Sequence, residues 1–461
     1  MTESPGSSSS NAPITSALAT LGAGFRFADL PPDVVLLAKQ CFLDWLGCAL
    51  AGSREPLAAI LQDEVREQGG HAQATILGTP ERASLQQAAL VNGAASHALD
   101  YDDVQWEMSG HPSVPVFPGL LALAESRRAS GRDFLTAFVA GFETECRVGL
   151  LVNPGHYAAG WHATGTLGTF GSAAACAWLL SLDEERWRHA LGIAAAQAAG
   201  LKSMFGTMCK PLHAGKAAAN GLLAATLAAR GFTSNPDALE TAQGFAATQT
   251  TTFQPERCLA GAPSGFALRS VLFKYHAACF GTHSSIEGVL RLKEDHHLSP
   301  DQVRAIHLRV PVGALSMCNI QEPHTALEGK FSLRFTAALA LGWNDTGETA
   351  FTDARVHDPA LVALRDRVTV VGDASVTGGT DVTVELADGR ELREQVDVNT
   401  PATDLDRQWQ RLVAKFRGLA APVVGAQQTE ELIATVTHLE DVPDMASVAR
   451  AGAPAFAGAV R

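Results

Sequence analysis

No Cys-x-x-Cys pair occurs in this chain, although it holds eight cysteines, at positions 41, 48, 146, 176, 209, 258, 279 and 318. Zinc ribbons and the common iron–sulfur spacings are thereby excluded, and free thiols in a reducing compartment are expected. Basic residues are in the minority. The chain has 35 Lys and Arg against 48 Asp and Glu, a formal net charge of -13, which argues against a general nucleic-acid binder. No uncharged apolar run reaches bilayer-spanning length. Residues 1–12 are Ser-rich without an apolar h-region, so they read as a disordered tail and not as a secretory signal. A His-Glu-x-x-His pair, an acidic EF-type loop and a Walker loop are also lacking. The economical expectation is a soluble cytoplasmic protein that uses neither a metal nor an organic cofactor.

What the chain does have is small and apolar: 46% apolar residues, only 18% charged, and 42 Gly. That suits closely approaching helices. From Pro31 the run PPDVVLLAKQCFLDWLGCALAG reads as a helix, with proline at its start and Gly52 at its end. It is apolar nearly all round and should be buried on more than one side. Helical patterns recur at 56–68, 84–97, 118–129, 131–151, 164–180, 183–201 and 213–230, with short turns between them and no βαβ rhythm. Residues 13–269 therefore read as an all-α domain.

The character then changes. Residues 248–263 are polar, and strand patterns follow at Arg304–Val310, Val368–Val371, Asp381–Leu386 and Glu391–Val398. The last two flank Asp388-Gly389, a hairpin signal because Asp-Gly tolerates the positive φ of such turns. Residues 270–403 thus read as a smaller α+β domain, a lid over the junction. Helical patterns within 404–440 could return to the first domain, and 441–461, rich in Ala, Gly and Pro, reads as a flexible tail. The fold class expected is mainly α, a large helical domain plus the smaller α+β one.

Five polar clusters stand out against this background. The first, His97 to Pro115, gathers three aspartates, a glutamate, a tryptophan and two histidines. Pro112 pushes His111 out of the helical region, so its side chain can be aimed from a loop end. The second runs from His156 to Gly171. Its Gly165-x-x-Gly168-x-x-Gly171 spacing is wrong for a dinucleotide loop and suits close helix packing instead. His162 precedes that helix, and Thr164 is a candidate N-cap. In the third, a helix starting near Pro211 would put Lys210 at its N-terminus and His213 and Lys216 on one face, a ready-made anion site. The fourth holds Lys274, His276 and His283; the fifth holds His324, Lys330 and Arg334. Each alone could be a solvated patch. Together, in an acidic protein, they suit a small polycarboxylate. Removing a proton α to a carboxylate needs a base, cations where charge develops, and an acid for any departing hydroxyl. Histidines, an aspartate and lysines are those parts.

The blocks H-A-L-D-Y-D-D…G-H-P-S, G-W-H-A-T-G-T-L-G-T-F-G, M-C-K-P-L-H-A-G-K-A and F-K-Y-H…G-T-H resemble, in order, those of the MmgE/PrpD family. That family includes 2-methylcitrate dehydratases, cis-aconitate decarboxylases and an iminodisuccinate epimerase. The resemblance runs from about Phe27 to about Leu439. It implies a helical domain built from both chain ends, an α+β lid, a homodimer and no cofactor. It places the catalytic positions on Asp100, His111, His162, Lys210 and Lys274, with His213 nearby; His276, His283 and Lys330 join His213 as candidate substrate-binding residues. Val104 stands where the family often has threonine, and Pro311–Pro323 lacks the tyrosine that the decarboxylases place after the lid strand. Several blocks look closest to the epimerase branch, while dehydratase is the name most often attached to such chains. The first expectation is therefore a lyase that dehydrates a methylcitrate-like hydroxy-polycarboxylate. Its rivals are an epimerase of a dicarboxylate such as iminodisuccinate, a cis-aconitate-type decarboxylase, and a degenerate paralogue that only binds a polycarboxylate.

Overall fold

The computed structural model describes residues 13–343 and 345–454; the tail expected at 1–12 lies outside them, as do residues 455–461. The chain divides into two compact units. One holds residues up to Ala98, Val104–Val271 and the chain from Val423 onward; the other holds Leu99–Asp103 and Leu272–Pro422.

The helix Pro32–Gly52 is the spine of the first unit, with sixteen of its residues buried. It is long and apolar enough to cross a membrane by length and composition, but it is largely buried in this unit. Its Phe42 and Trp45 join Phe117, Phe134 and Phe138, with ring centroids of 5.0 Å for Phe42–Phe134 and 3.9 Å for Phe117–Phe138. Buried aromatics of this size dominate core energetics. Helices Leu85–Ser96, Ser113–Arg127, Gly131–Val152, Ala163–Leu179 and Cys209–Ala229 pack around this core. Ser84 caps the first of these in a full capping box with Gln87.

Glycines set how closely these helices approach. A Cβ on Gly215 would meet Leu90 O at 2.2 Å, and one on Gly93 would meet Gly215 Cα at 2.7 Å. The 165/168/171 row does what its spacing suggests. A Cβ on Gly165 would meet Ala199 O at 2.6 Å, and one on Gly168 the Pro115 ring at 2.4 Å. On Gly171 it would collide with the buried Glu145 carboxylate.

Several boundaries differ from the periodicity. The helix expected from Pro118 begins at Ser113, because Pro115 falls in its first turn, where no intrahelical N–H is needed. The pattern at 183–201 is helical only over Glu184–Ala195, and Gly200, at φ 146°, turns the chain beyond it. The unit also contains a short antiparallel pair, Ala74–Thr75 with Arg82–Ala83.

Both chain ends contribute to this unit. Lys39 Nζ donates to Thr437 O at 2.9 Å and to Glu440 Oε1 at 3.0 Å. The chain returns to it at Val423, where the periodicity put the return at 404. The expectation of a flexible segment from residue 441 is corrected: Met445–Ala451 is a helix capped by Asp444, with Met445, Ala446, Val448 and Ala449 buried. Its apolar side chains pack, and Met445 N–H donates to Ala129 O at 2.8 Å.

The second unit is α+β. Strand Val303–Val310 pairs in parallel with Val368–Gly372 and antiparallel with Thr380–Leu386, which pairs in turn with Glu391–Val396. Asp388-Gly389 forms the expected hairpin turn, with Gly389 at φ 90°. Inward residues of Thr380–Leu386 alternate with half-buried ones, and the helix Phe280–Asp295 packs on that face. A Cβ on Gly288 would come within 2.5 Å of Val382 Cγ2.

Candidate functional site

Four imidazoles gather in the first unit. His162 is the residue before the helix Ala163–Leu179, at φ -85° and ψ 99°. Its N–H donates to Gly200 O at 3.0 Å. The chain beyond the end of Glu184–Ala195 thus supplies the carbonyl that fixes His162. His213 lies in the first turns of Cys209–Ala229, and its Nδ1 is 3.0 Å from His162 Nδ1. One ring donates and the other accepts in that contact, so the pair is satisfied when both are neutral. His97, the C-cap of Leu85–Ser96, lies edge-on to His111 with centroids 4.7 Å apart, and stacks on His162 at 5.8 Å.

His111 is held by its backbone, whose N–H donates to Thr164 Oγ1 at 3.0 Å. Thr164 is therefore not the N-cap that its type and place suggested: it lies one residue inside the helix, and its hydroxyl is used by His111. Gly110 permits this approach, since a Cβ there would stand 3.0 Å from Thr164 N.

Lys210 is in the first turn of Cys209–Ala229, where its N–H donates to Thr207 O at 3.1 Å. Its Nζ lies 5.7 Å from the centre of Phe205, whose ring meets His162 edge-on at 5.0 Å. Burial, then His97 and Lys210, hold His162 far below the ordinary histidine range, and burial lowers His213 too. Both are uncharged at neutral pH. Lys216 is exposed on the same helix.

In the second unit, Asp100 adopts a left-handed backbone at φ 51°, an uncommon state for a residue with a Cβ. Lys274, only 2% exposed, clasps it: Nζ donates to Asp100 O at 2.6 Å and pairs with Oδ1 at 3.2 Å. Burial opposes the charge on Lys274, but Asp100, Asp102 and Cys279 together raise its pKa above the ordinary lysine value. It remains an ammonium. Lys415 secures the same stretch, donating to Tyr101 O at 2.6 Å and Lys274 O at 2.8 Å.

The remaining candidates have partners inside the second unit. His276 uses both ring nitrogens, Nδ1 with Thr346 Oγ1 at 2.6 Å and Nε2 with Glu287 Oε1 at 3.2 Å. Burial lowers His276. Despite its own burial, Glu287 is kept ionised by His276 and Arg411. A neutral His276 donating to Glu287, with Arg411 supplying the positive charge, reconciles the two shifts. His283 Nε2 donates to Ala278 O at 3.1 Å in a fully packed setting. Lys330 Nζ bonds both oxygens of Glu348, at 2.8 and 2.9 Å. These three, expected as substrate contacts, each have a partner within the second unit at bonding distance. The converse omission is His97. Its place at the head of the acidic stretch was legible, but its packing against two other histidines was not.

Two uncharged imidazoles beside a lysine, and a buried lysine clamped to a strained aspartate, are parts for acid–base chemistry on an anion. The chain belongs to the MmgE/PrpD family, a family of enzymes: the N-terminal domain of that family matches residues 16–258 and its C-terminal domain residues 276–441. Among curated proteins it is similar to the cis-aconitate decarboxylase of Homo sapiens, 28% identical over 94% of this chain and 92% of the relative. It is likewise similar to those of Mus musculus, at 28% over 95% and 93%, and Aspergillus terreus, at 26% over 96% and 97%.

Proposed function

We propose that this protein is a lyase that removes a proton α to a carboxylate of a small polycarboxylate and eliminates water from it, as a 2-methylcitrate-like dehydratase. The observation that carries the reading is the uncharged His162, held in a cluster of imidazoles with Lys210 close by. A base must be unprotonated to accept a proton, and burial ensures that here. The same burial makes an isolated His162 a poor base. A bound polyanion would offset both the desolvation and the lysine charge, raising the basicity of His162 when substrate is present. One imidazole of the cluster then accepts the α-proton, and the imidazolium so formed returns a proton, directly or through its imidazole neighbour, to the departing hydroxyl, which leaves as water. Lys210 opposes the charge that builds on the substrate carboxylate. The products are an alkene and water. Asp100 and Lys274, a carboxylate and an ammonium paired within the second unit, are kept as further catalytic candidates. The reading includes a cytoplasmic homodimer.

The names of the relatives support a second reading, loss of carbon dioxide from an unsaturated tricarboxylate, which is also lyase chemistry. A third is inversion at the α-carbon, for which two imidazoles would suffice. Proton NMR in D₂O over a panel of hydroxy-, amino- and unsaturated polycarboxylates separates them. Alkene formation with loss of α-hydrogen is the expected result, abolished by His162→Ala. Carbon dioxide release from cis-aconitate favours the decarboxylase, and stereoinversion with deuterium uptake and no alkene favours the epimerase. Wild-type protein that binds members of the panel but exchanges no α-proton would overturn the enzymatic reading altogether.

A further inference from the structure

The cysteines of the second unit are not equivalent to the others. Cys279 is the residue that opens the helix Phe280–Asp295, at φ -52° and ψ 133°. Cys318 closes the six-residue helix Val312–Met317. Gly281 sits against both. A Cβ built on it would stand 2.9 Å from Cys318 Sγ and 3.9 Å from Cys279 Sγ, so both sulfurs face the same glycine. Glycine supplies no side chain there, and Met317 Sδ stands against the same position at 3.1 Å.

We propose that Cys279 and Cys318 form a dithiol site that reacts with a small peroxide and closes to a disulfide. Cys279 is the attacking sulfur. The neighbouring Cys318 thiol, the Gly281 N–H and the Lys274 ammonium stabilise its thiolate against burial and bring its pKa down to about 7. Cys318, whose Sγ donates to Ala314 O at 3.5 Å, is pushed up. The contrast within the chain is sharp: burial pushes Cys258 up to about 12 and raises Cys176 as well. The thiolate is the nucleophile, so reactivity follows this division.

In the first step an S–O bond forms on Cys279 as the O–O bond of the peroxide breaks, and the leaving alkoxide or hydroxide takes up a proton. Cys279 becomes a sulfenic acid. In the second step Cys318 sulfur attacks Cys279 sulfur, the S–O bond breaks, and the departing oxygen leaves as water with the Cys318 proton. Two thiols lose two electrons and one peroxide gains them. Access favours a small oxidant, since Cys279 is 8% exposed and Cys318 1%. The short helix bearing Cys318 is nevertheless largely at the surface, with Val312 and Met317 exposed. Closure would remove the negative charge that Cys279 presents to Lys274.

The experiment is a non-reducing tryptic map of the full chain after exposure to hydrogen peroxide and blocking of remaining thiols. The expected product joins Tyr275–Arg291 to Val310–Lys330 and is two hydrogens lighter than the separate peptides; dithiothreitol should release both. Cys318→Ser should give no joined peptide while Cys279 is still oxidised. If that variant does not fold, the wild-type map decides alone. Both peptides recovered unjoined from wild-type protein whose exposed Cys209 has been oxidised would overturn the proposal, as would a joined peptide that forms only in denaturant.

Discussion

Single side chains carry the proposed chemistry through their charge states. Lys210 is placed in the first turn of a helix, close to the Phe205 ring, and the proposed role for its ammonium is contact with an anion. Lys210→Ala should lower kcat/KM by about 1.5–3 kcal/mol of transition-state stabilisation, the worth of a charge-assisted contact. Wild-type turnover at subsaturating substrate in that variant would remove the lysine from the mechanism.

A buried carboxylate outside the cluster gives a stability test. Burial, opposed by the Ala267 and Leu268 N–H groups and Arg147, pushes Glu143 up to about 7. A carboxyl raised in the folded state favours folding while protonated. That contribution is present below its unfolded value and is lost as pH rises through about 7. Glu143→Gln does not titrate, so relative to wild type it should be about 3 kcal/mol better off at pH 8 than at pH 4. Denaturant titrations at the two pH values measure the difference; equal offsets at both would refute the shift.

At the scale of elements, two helical glycines make a controlled comparison. Gly215 lies where Cys209–Ala229 crosses Leu85–Ser96, and an added methyl would press on Leu90 O and Ala94 N. Gly215→Ala should therefore destabilise by about 1–3 kcal/mol, since backbone cannot yield as a side-chain tip can. Gly418, inside Leu405–Val424, has nothing within 4 Å of such a methyl. Gly418→Ala should stabilise by about 0.5–1 kcal/mol through lost backbone freedom in the unfolded chain. Thermal melts of the two variants should move in opposite directions. The sequence pattern treats both as glycines in helices; only the neighbour across the gap distinguishes them.

For the whole molecule, the testable expectation is assembly. Light scattering of the purified chain should give about twice its chain mass at micromolar concentration, and a monomer would remove the homodimer from the proposal.

The helices of the first unit and the strands of the second follow from local chemistry. Proline at Pro32, the Ser84 and Ser130 caps and the Asp388-Gly389 turn act over three or four residues, within the reach of a sequence pattern. So do the ordered blocks that mark the family. What depended on tertiary structure was which polar residues come together and which bind their own scaffold. His162 and His276 look alike in sequence, each between an aromatic residue and an alanine. One is paired with His213, a residue 51 positions away, and packed beside two further histidines; the other is used up by Thr346 and Glu287. The segment after Asp444 likewise reads as a loose Ala-rich tail until the surface against which Met445 and Val448 are buried is in place. Burial and long-range partners set a side chain's pKa and its availability, and neither is encoded within the few residues on either side of it.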